Sequence, residues 1–146
     1  MQSRVRAASA ADLPALYEVW RTAVADTHTF LSAEDHDAIA ILVREQYLPN
    51  AALDVVVDGH ERALAFMGMT GNTIDSLFVH ASARGTGLGR HLVELARTRA
   101  ASLVTEVNEQ NVRGLGFWTH MGFRPTGRTD LDGQGRPYPL VQMAWP

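Results

Sequence analysis

A mixed α/β sheet is the fold class this sequence predicts, in the order β-α-α-β-β-β-α-β-α-β-β, as a single domain over residues 1–146. Three observations predict it. Strand-like and helix-like apolar runs succeed one another along the whole chain. Asp58-Gly59 joins two of the strand-like runs, a hairpin signal. A glycine-rich segment, Arg84 to Arg90, separates a strand-like run from a helix-like one. The chain shows no internal repeat, low-complexity tract or linker, and so no domain boundary.

Arg4–Ala7 reads as a short first strand. Ser9 or Asp12 can cap a helix carrying Leu13, Leu16, Tyr17 and Trp20 at helical spacing, with Pro14 in its tolerant first turns. Thr27–Leu31 is a break. Ser32-Ala33-Glu34-Asp35 then opens a second helix that carries Ile39, Leu42, Val43 and Tyr47 until Pro49 ends it. Leu53–Val57, Ala63–Met69 and Thr73–Val79 are three strands in a row. A helix follows the glycine segment to about Ala101. Leu103–Val107 is a strand and Asn111–Met121 a helix. Phe123–Arg128 and Tyr138–Trp145 close the chain as two strands around a long loop.

The chain has 146 residues, no Cys, no Lys and a formal net charge of −3. That length suffices for one core without staples. Absence of Cys removes disulfides and thiol nucleophiles. No basic stripe marks a nucleic-acid face. No apolar run is long enough for a bilayer, and no signal core follows Met1, so a bacterial-type cytoplasmic protein is the expectation. The six histidines are scattered, without metal-ligand spacing, so no metal is expected.

The segment Arg84-Gly85-Thr86-Gly87-Leu88-Gly89-Arg90 carries the most chemistry. Glycines at alternate positions let the backbone turn tightly and bring amides close to a ligand. The helix that starts there adds free N–H groups and a positive dipole end, which suits a pyrophosphate. A Walker A loop is excluded because it needs Lys. The dinucleotide fingerprint started at Gly85 needs Gly at position 90, which is Arg90.

Arg84-x-x-Gly87-x-Gly89 matches the [QR]-x-x-G-x-[GA] signature of GCN5-related N-acetyltransferases, and other motifs agree in order. Leu77-Phe78-Val79 precedes the loop as that family's L-x-V strand does. Asn111, Phe117-Trp118 and Gly122-Phe123 follow in the family's later pattern, with Gly114 where Ala is usual and Trp118 where Tyr is usual. Ala25–Ser32, Val107–Asn111 and Gly135–Leu140 resemble the small bacterial YjaB-type acetyltransferases. The resemblance runs from about Arg4 to Trp145.

The resemblance implies a fold in which the Thr73–Val79 and Leu103–Val107 strands splay around an acetyl-CoA slot, and an activity that moves the acetyl group to an amine. Backbone of Leu77, Phe78 and Val79 would pair with the pantetheine arm, and the N–H of Phe78 or Val79 would polarise the thioester carbonyl. Arg84, Gly85, Thr86, Gly87, Leu88, Gly89 and Arg90 would hold the pyrophosphate. Asn111 would bond the arm or cap its own helix, and Phe117 and Trp118 would border the cofactor.

An amine needs a base. Asp75 is the first candidate, because counting by twos puts Thr73, Asp75, Leu77 and Val79 on one face. His28, in the break that lines the family's acceptor side, is the second. The departing thiolate is protonated in many members by the Tyr that Trp118 replaces, and an indole N–H is no acid. Tyr138 or water would serve instead.

The expected acceptor is a small amine, a protein lysine or a protein N-terminus. The final strands of this fold often pair across dimers, so a homodimer is admitted. Two other readings stay open at this point: a catalytically weak acetyl-CoA-binding or sensing protein, and a nucleotide-binding module using the same loop.

Overall fold

The computed structural model describes residues 3–146. Element order follows the expectation: β1 (Ser3–Ala7), α1 (Leu13–Thr27), α2 (Ala33–Leu42), β2 (Leu53–Asp58), β3 (Ala63–Thr70), β4 (Thr73–Val79), α3 (Leu88–Arg97), β5 (Leu103–Asn108), α4 (Val112–His120), β6 (Arg124–Thr129) and β7 (Leu140–Trp145). The seven strands form one sheet, ordered β1-β2-β3-β4-β5-β7-β6. Only β4 and β5 run parallel; every other neighbouring pair is antiparallel.

Alternation along the strands divides the core in two. Val55, Val57 and Phe66 face Leu16, Val19 and Trp20 of α1. Val56, Ala65 and Met67 face Leu92, Val93 and Ala96 of α3 together with Trp118 of α4. Both faces are covered, which explains why Val55-Val56-Val57 is an unbroken apolar run.

Local chemistry sets the helix ends. Asp12 accepts from the Ser9 N–H at 2.7 Å and from the Arg6 guanidinium at 2.8 and 2.9 Å, tying β1 to the start of α1. Ser32 Oγ accepts from the Asp35 N–H at 3.1 Å and caps α2.

Most boundaries fall within two residues of the sequence expectation, and three departures have a clear local cause. Pro49 does not stop the second helix. The chain widens into a π turn over Val43–Tyr47, then makes a last helical turn, Leu48–Asn50. Pro49 sits in the first positions of that turn, where its missing N–H costs least. The Asp58-Gly59 hairpin is longer than a two-residue turn: Asp58 Oδ1 accepts from the N–H groups of His60 and Arg62, and the left-handed residue is Glu61 at φ 62°. α3 ends at Arg97, where Thr98 closes it.

One irregularity in β4 positions everything that follows. Gly68 pairs with Ser76 and Met69 with Ile74, which leaves Asp75 as an extra residue in the strand. This bulge reverses the side-chain parity of β4. Ile74, Leu77 and Val79 therefore pack toward α3, while Ser76 and Phe78 point to the α1 side. Past the bulge β4 also leaves β5. The two pair only through Thr73↔Val104 and Ile74↔Thr105, with the Thr105 hydroxyl donating to Ile74 O at 2.8 Å. Beyond that point β5 pairs with β7 alone, and a gap opens beside Leu77–Val79.

Candidate active site

The gap between β4 and β5 is the mouth of a slot of about 400 Å³. Its walls come from β4, the glycine loop with the start of α3, the end of α1, and α4. Among the described residues, Arg84, Arg90, Arg113, His28 and His120 are the only titratable side chains lining it, and no Asp or Glu does. The rest of the wall is largely apolar. Such a cavity fits a ligand with an anionic end and a neutral arm.

The anionic end is built mostly from backbone. Gly85 (φ 75°) and Gly87 (φ 84°) hold left-handed conformations, and Gly87 caps α3. His91 is the first residue whose N–H finds a partner within α3, at Gly87 O and 3.0 Å, so the amides before it stay free for a ligand. Gly89 permits the close approach of α4: a Cβ there would meet Phe117 at 3.0 Å.

Charge at this end is distributed differently from the sequence expectation. Arg84 turns away to the C-terminal end of α1, donating to Asp26 Oδ2 at 2.6 Å and to the carbonyls of Thr22 and Ala23. That hydrogen bond holds the Asp26 carboxyl below its usual range. Thr86 does not line the slot, since its hydroxyl donates to Ala83 O at 2.5 Å. The free cations are Arg90 and Arg113. Sequence reasoning missed Arg113, although a signal existed: a cation in the first turn of a helix opposes the helix dipole, which an anionic ligand would reverse.

Leu77, Phe78, Val79, Leu88, Asn111, Phe117 and Trp118 line the slot as expected. Asn111 caps α4, its side-chain oxygen accepting from the Gly114 N–H at 2.9 Å. Gly114 leaves room for this cap, since a Cβ would press on the Asn111 amide, 2.9 Å from its Cγ, and shift it. Trp118 is buried, edge-on to Phe117 and Phe123 at centroid distances of 5.1 and 4.9 Å.

The three candidate proton-transfer residues separate. Asp75 is not on the slot. The bulge turns it to the other face, where it accepts from the Thr70 hydroxyl at 2.6 Å and borders a second cavity with Tyr47 and Asn50. Tyr138 is buried behind Phe30; its hydroxyl donates to Asp35 and accepts from the Ser32 N–H, so it too is absent from the slot lining. His28 lines it.

His28 closes the C-terminal end of α1 through its N–H to Val24 O at 3.0 Å. Its ring lies 5.3 Å from that of Phe30. Burial holds the imidazole below its ordinary 6.5, a side-chain hydrogen bond with Asn108 pulls upward, and His36 adds slightly to the lowering. At neutral pH the ring is therefore uncharged.

A family model described as "Acetyltransferase (GNAT) domain" matches residues 26–125. The chain belongs to the GNAT family. Among its relatives, the peptidyl-lysine N-acetyltransferase YjaB of Salmonella typhimurium is 43% identical over 131 residues, 90% of either chain. The solution structure of apo-form YjaB from Escherichia coli superposes with a TM-score of 0.94 at 40% identity, covering 99% of this chain and 98% of that one. At 18% identity the same fold appears in the PaiA N-acetyltransferase of Thermoplasma acidophilum, solved in complex with coenzyme A, with a TM-score of 0.75 and coverage of 97% and 98%. This GNAT protein is an acetyl-CoA-dependent N-acetyltransferase that moves an acetyl group to a primary amine. The lining fits that co-substrate: it combines free amides at the start of α3, two cations outside any salt bridge, apolar walls and a neutral imidazole. Among the described residues no group of His, Asp or Glu could hold a metal ion, and no helix is long and apolar enough to cross a membrane.

Proposed function

We propose that the acceptor is a lysine side chain in a protein or peptide, and that the slot between β4 and β5 holds acetyl-CoA while His28 acts as the base. The observation that carries the reading is the polarity of the slot, cationic at the start of α3 and uncharged at His28. The acceptor class is supported by the printed activity of the relative at 43% identity.

In this reading the amides of Gly87 to Arg90, with Arg90 and Arg113, hold the pyrophosphate. Asn111 keeps its Nδ2 for the amide-like arm, because its Oδ1 is already engaged. The unpaired edge of β4 offers the Phe78 or Val79 N–H to the thioester carbonyl, an oxyanion-hole role. When bound, acetyl-CoA supplies an activated acetyl group. His28 takes a proton from the attacking amine. The setting is cytoplasmic, where acetyl-CoA is a metabolite. β6 is exposed along its whole length at the sheet edge, the strand on which a second copy would pair. Light scattering would test that homodimer.

The central test is thiol release from acetyl-CoA with lysine peptides and small amines. With no Cys in the chain, a thiol-reactive dye sees only product. Peptide-dependent release is expected. Release with small amines alone would overturn the acceptor class, leaving the family assignment intact.

A further inference from the structure

Hydrogen bonds from the segment just before the glycine loop fasten it to the last turns of α1. The Ala81 N–H donates to Thr22 Oγ1 at 3.1 Å. Arg84 supplies the rest, donating to Asp26 Oδ2 at 2.6 Å and to the Thr22 and Ala23 carbonyls at 3.3 and 3.2 Å. A cation there meets the negative end of the helix dipole, and a guanidinium fork is the side chain that reaches three acceptors at once. The Arg84 backbone is extended (φ −62°, ψ 146°), so the chain enters the loop while the side chain crosses to α1. Asp26 neutralises the charge that a phosphate would otherwise attract.

The loop side of this lock holds its own shape. The Ser82 N–H donates to His80 Nδ1 at 3.0 Å, the Ala83 N–H to His80 O at 2.9 Å, and the Thr86 hydroxyl to Ala83 O at 2.5 Å. The α1 side is where the helix gives out: Thr27 is its last residue, and Ala23, Thr27 and His28 all line the slot.

We infer that Arg84 is a positioning residue: it fixes the end of α1, and with it the slot wall formed by Ala23, Thr27 and His28, against the glycine loop, and it does not contact the phosphates. The pyrophosphate is then held by backbone amides, Arg90 and Arg113. The thioester lies a fixed length of arm away from that anchor, so any slip of α1 moves the wall relative to the reacting carbonyl. A misplacement of about 1 Å costs up to ~10²-fold in rate. This rests on the slot holding acetyl-CoA.

Arg84→Lys and Thr22→Val test it, because neither changes the net charge and Thr22 does not line the slot. Lys keeps a point charge but cannot span three acceptors. Val removes the hydroxyl that the Ala81 N–H uses. With whichever acceptor wild type turns over, Arg84→Lys should lower kcat by about 10- to 100-fold, and Thr22→Val by a smaller factor. Coenzyme A affinity by calorimetry should stay within about 3-fold of wild type in both, since the amides and free cations remain.

A second readout needs no ligand. Water reaching a loosened α1 end should raise the His28 ring pKa toward its ordinary 6.5 in both variants, as NMR titration would show. Asn108 of β5 and His36 of α2, which also act on the ring, are untouched by either change. If Arg84→Lys weakens coenzyme A binding while kcat and the ring pKa hold, and Thr22→Val is silent, Arg84 is a phosphate contact and the inference falls. A wild type that binds no coenzyme A overturns the slot reading and this inference with it. Wild-type binding with two silent variants overturns this inference alone.

Discussion

The two ends of the slot are made of different material. At the α3 end the ligand meets backbone: Gly85 and Gly87 in left-handed conformations, then the free amides of a helix start, all within Arg84–Arg90. At the other end it meets a side chain, His28, whose ring is backed by Phe30, with Tyr138 behind it, and bonded by Asn108 of β5. A backbone site tolerates side-chain change but not glycine loss. A side-chain site behaves the other way round. The difference predicts that affinity and turnover are separable, affinity residing in the loop and turnover at His28.

The largest effect that would sharpen this contrast is Gly87→Ala. Holding Ala at a left-handed φ costs roughly 1–3 kcal/mol, so coenzyme A affinity by calorimetry should fall by about 10- to 100-fold. A fall in kcat at saturation with unchanged affinity would break the comparison.

Arg113→Gln comes next. Affinity should weaken by about 5-fold at low salt, and the deficit should shrink as salt screens the remaining charges. A deficit independent of salt would remove Arg113 from the anion site.

A smaller effect is expected behind the catalytic end. Tyr47 and Ser76 share a hydrogen bond of 2.6 Å next to the bulge, and Gly68 leaves room for it, since a Cβ there would press on the Tyr47 hydroxyl and lie 2.9 Å from Ser76 Oγ. Tyr47→Phe strands the Ser76 hydroxyl, at about 1 kcal/mol or a fall of ~2–4 °C in Tm. Gly68→Ala should destabilise more than Tyr47→Phe, and less when the two are combined.

The mildest readout is pH. The folded-state pKa of His28 lies below its ordinary 6.5, so the unfolded chain binds its proton first. Its contribution to stability is full above 6.5 and is lost as pH falls from there through the lower folded value. Activity should show an acid limb in the same window. His28→Gln should flatten the stability curve between neutral pH and that limb, as a melting series would show.

Legibility in the sequence followed the same division. The glycine loop could be read in advance because φ preference and helix-start amides are local properties of consecutive residues. Leu77, Phe78, Val79, Asn111, Phe117 and Trp118 were found on the slot lining. Asp75 was not, because counting by twos assumes an unbroken strand, and the bulge that breaks it is visible only in the pairing with β3. Tyr138 could be suspected but not oriented, since Asp35, which takes its proton, is distant in sequence. Arg84 matched its motif, yet its side chain is bound to Asp26 on another helix.

The amino-acid order by itself determined the element succession, the family motif and the anion-binding turn, because each rests on interactions within a few residues. Tertiary structure alone decided where β4 parts from β5, which carboxylate faces away, and which imidazole is buried on the slot. Those depend on a strand register, a bulge and the packing of the end of α1 against β5, and contacts between separate segments settle all three.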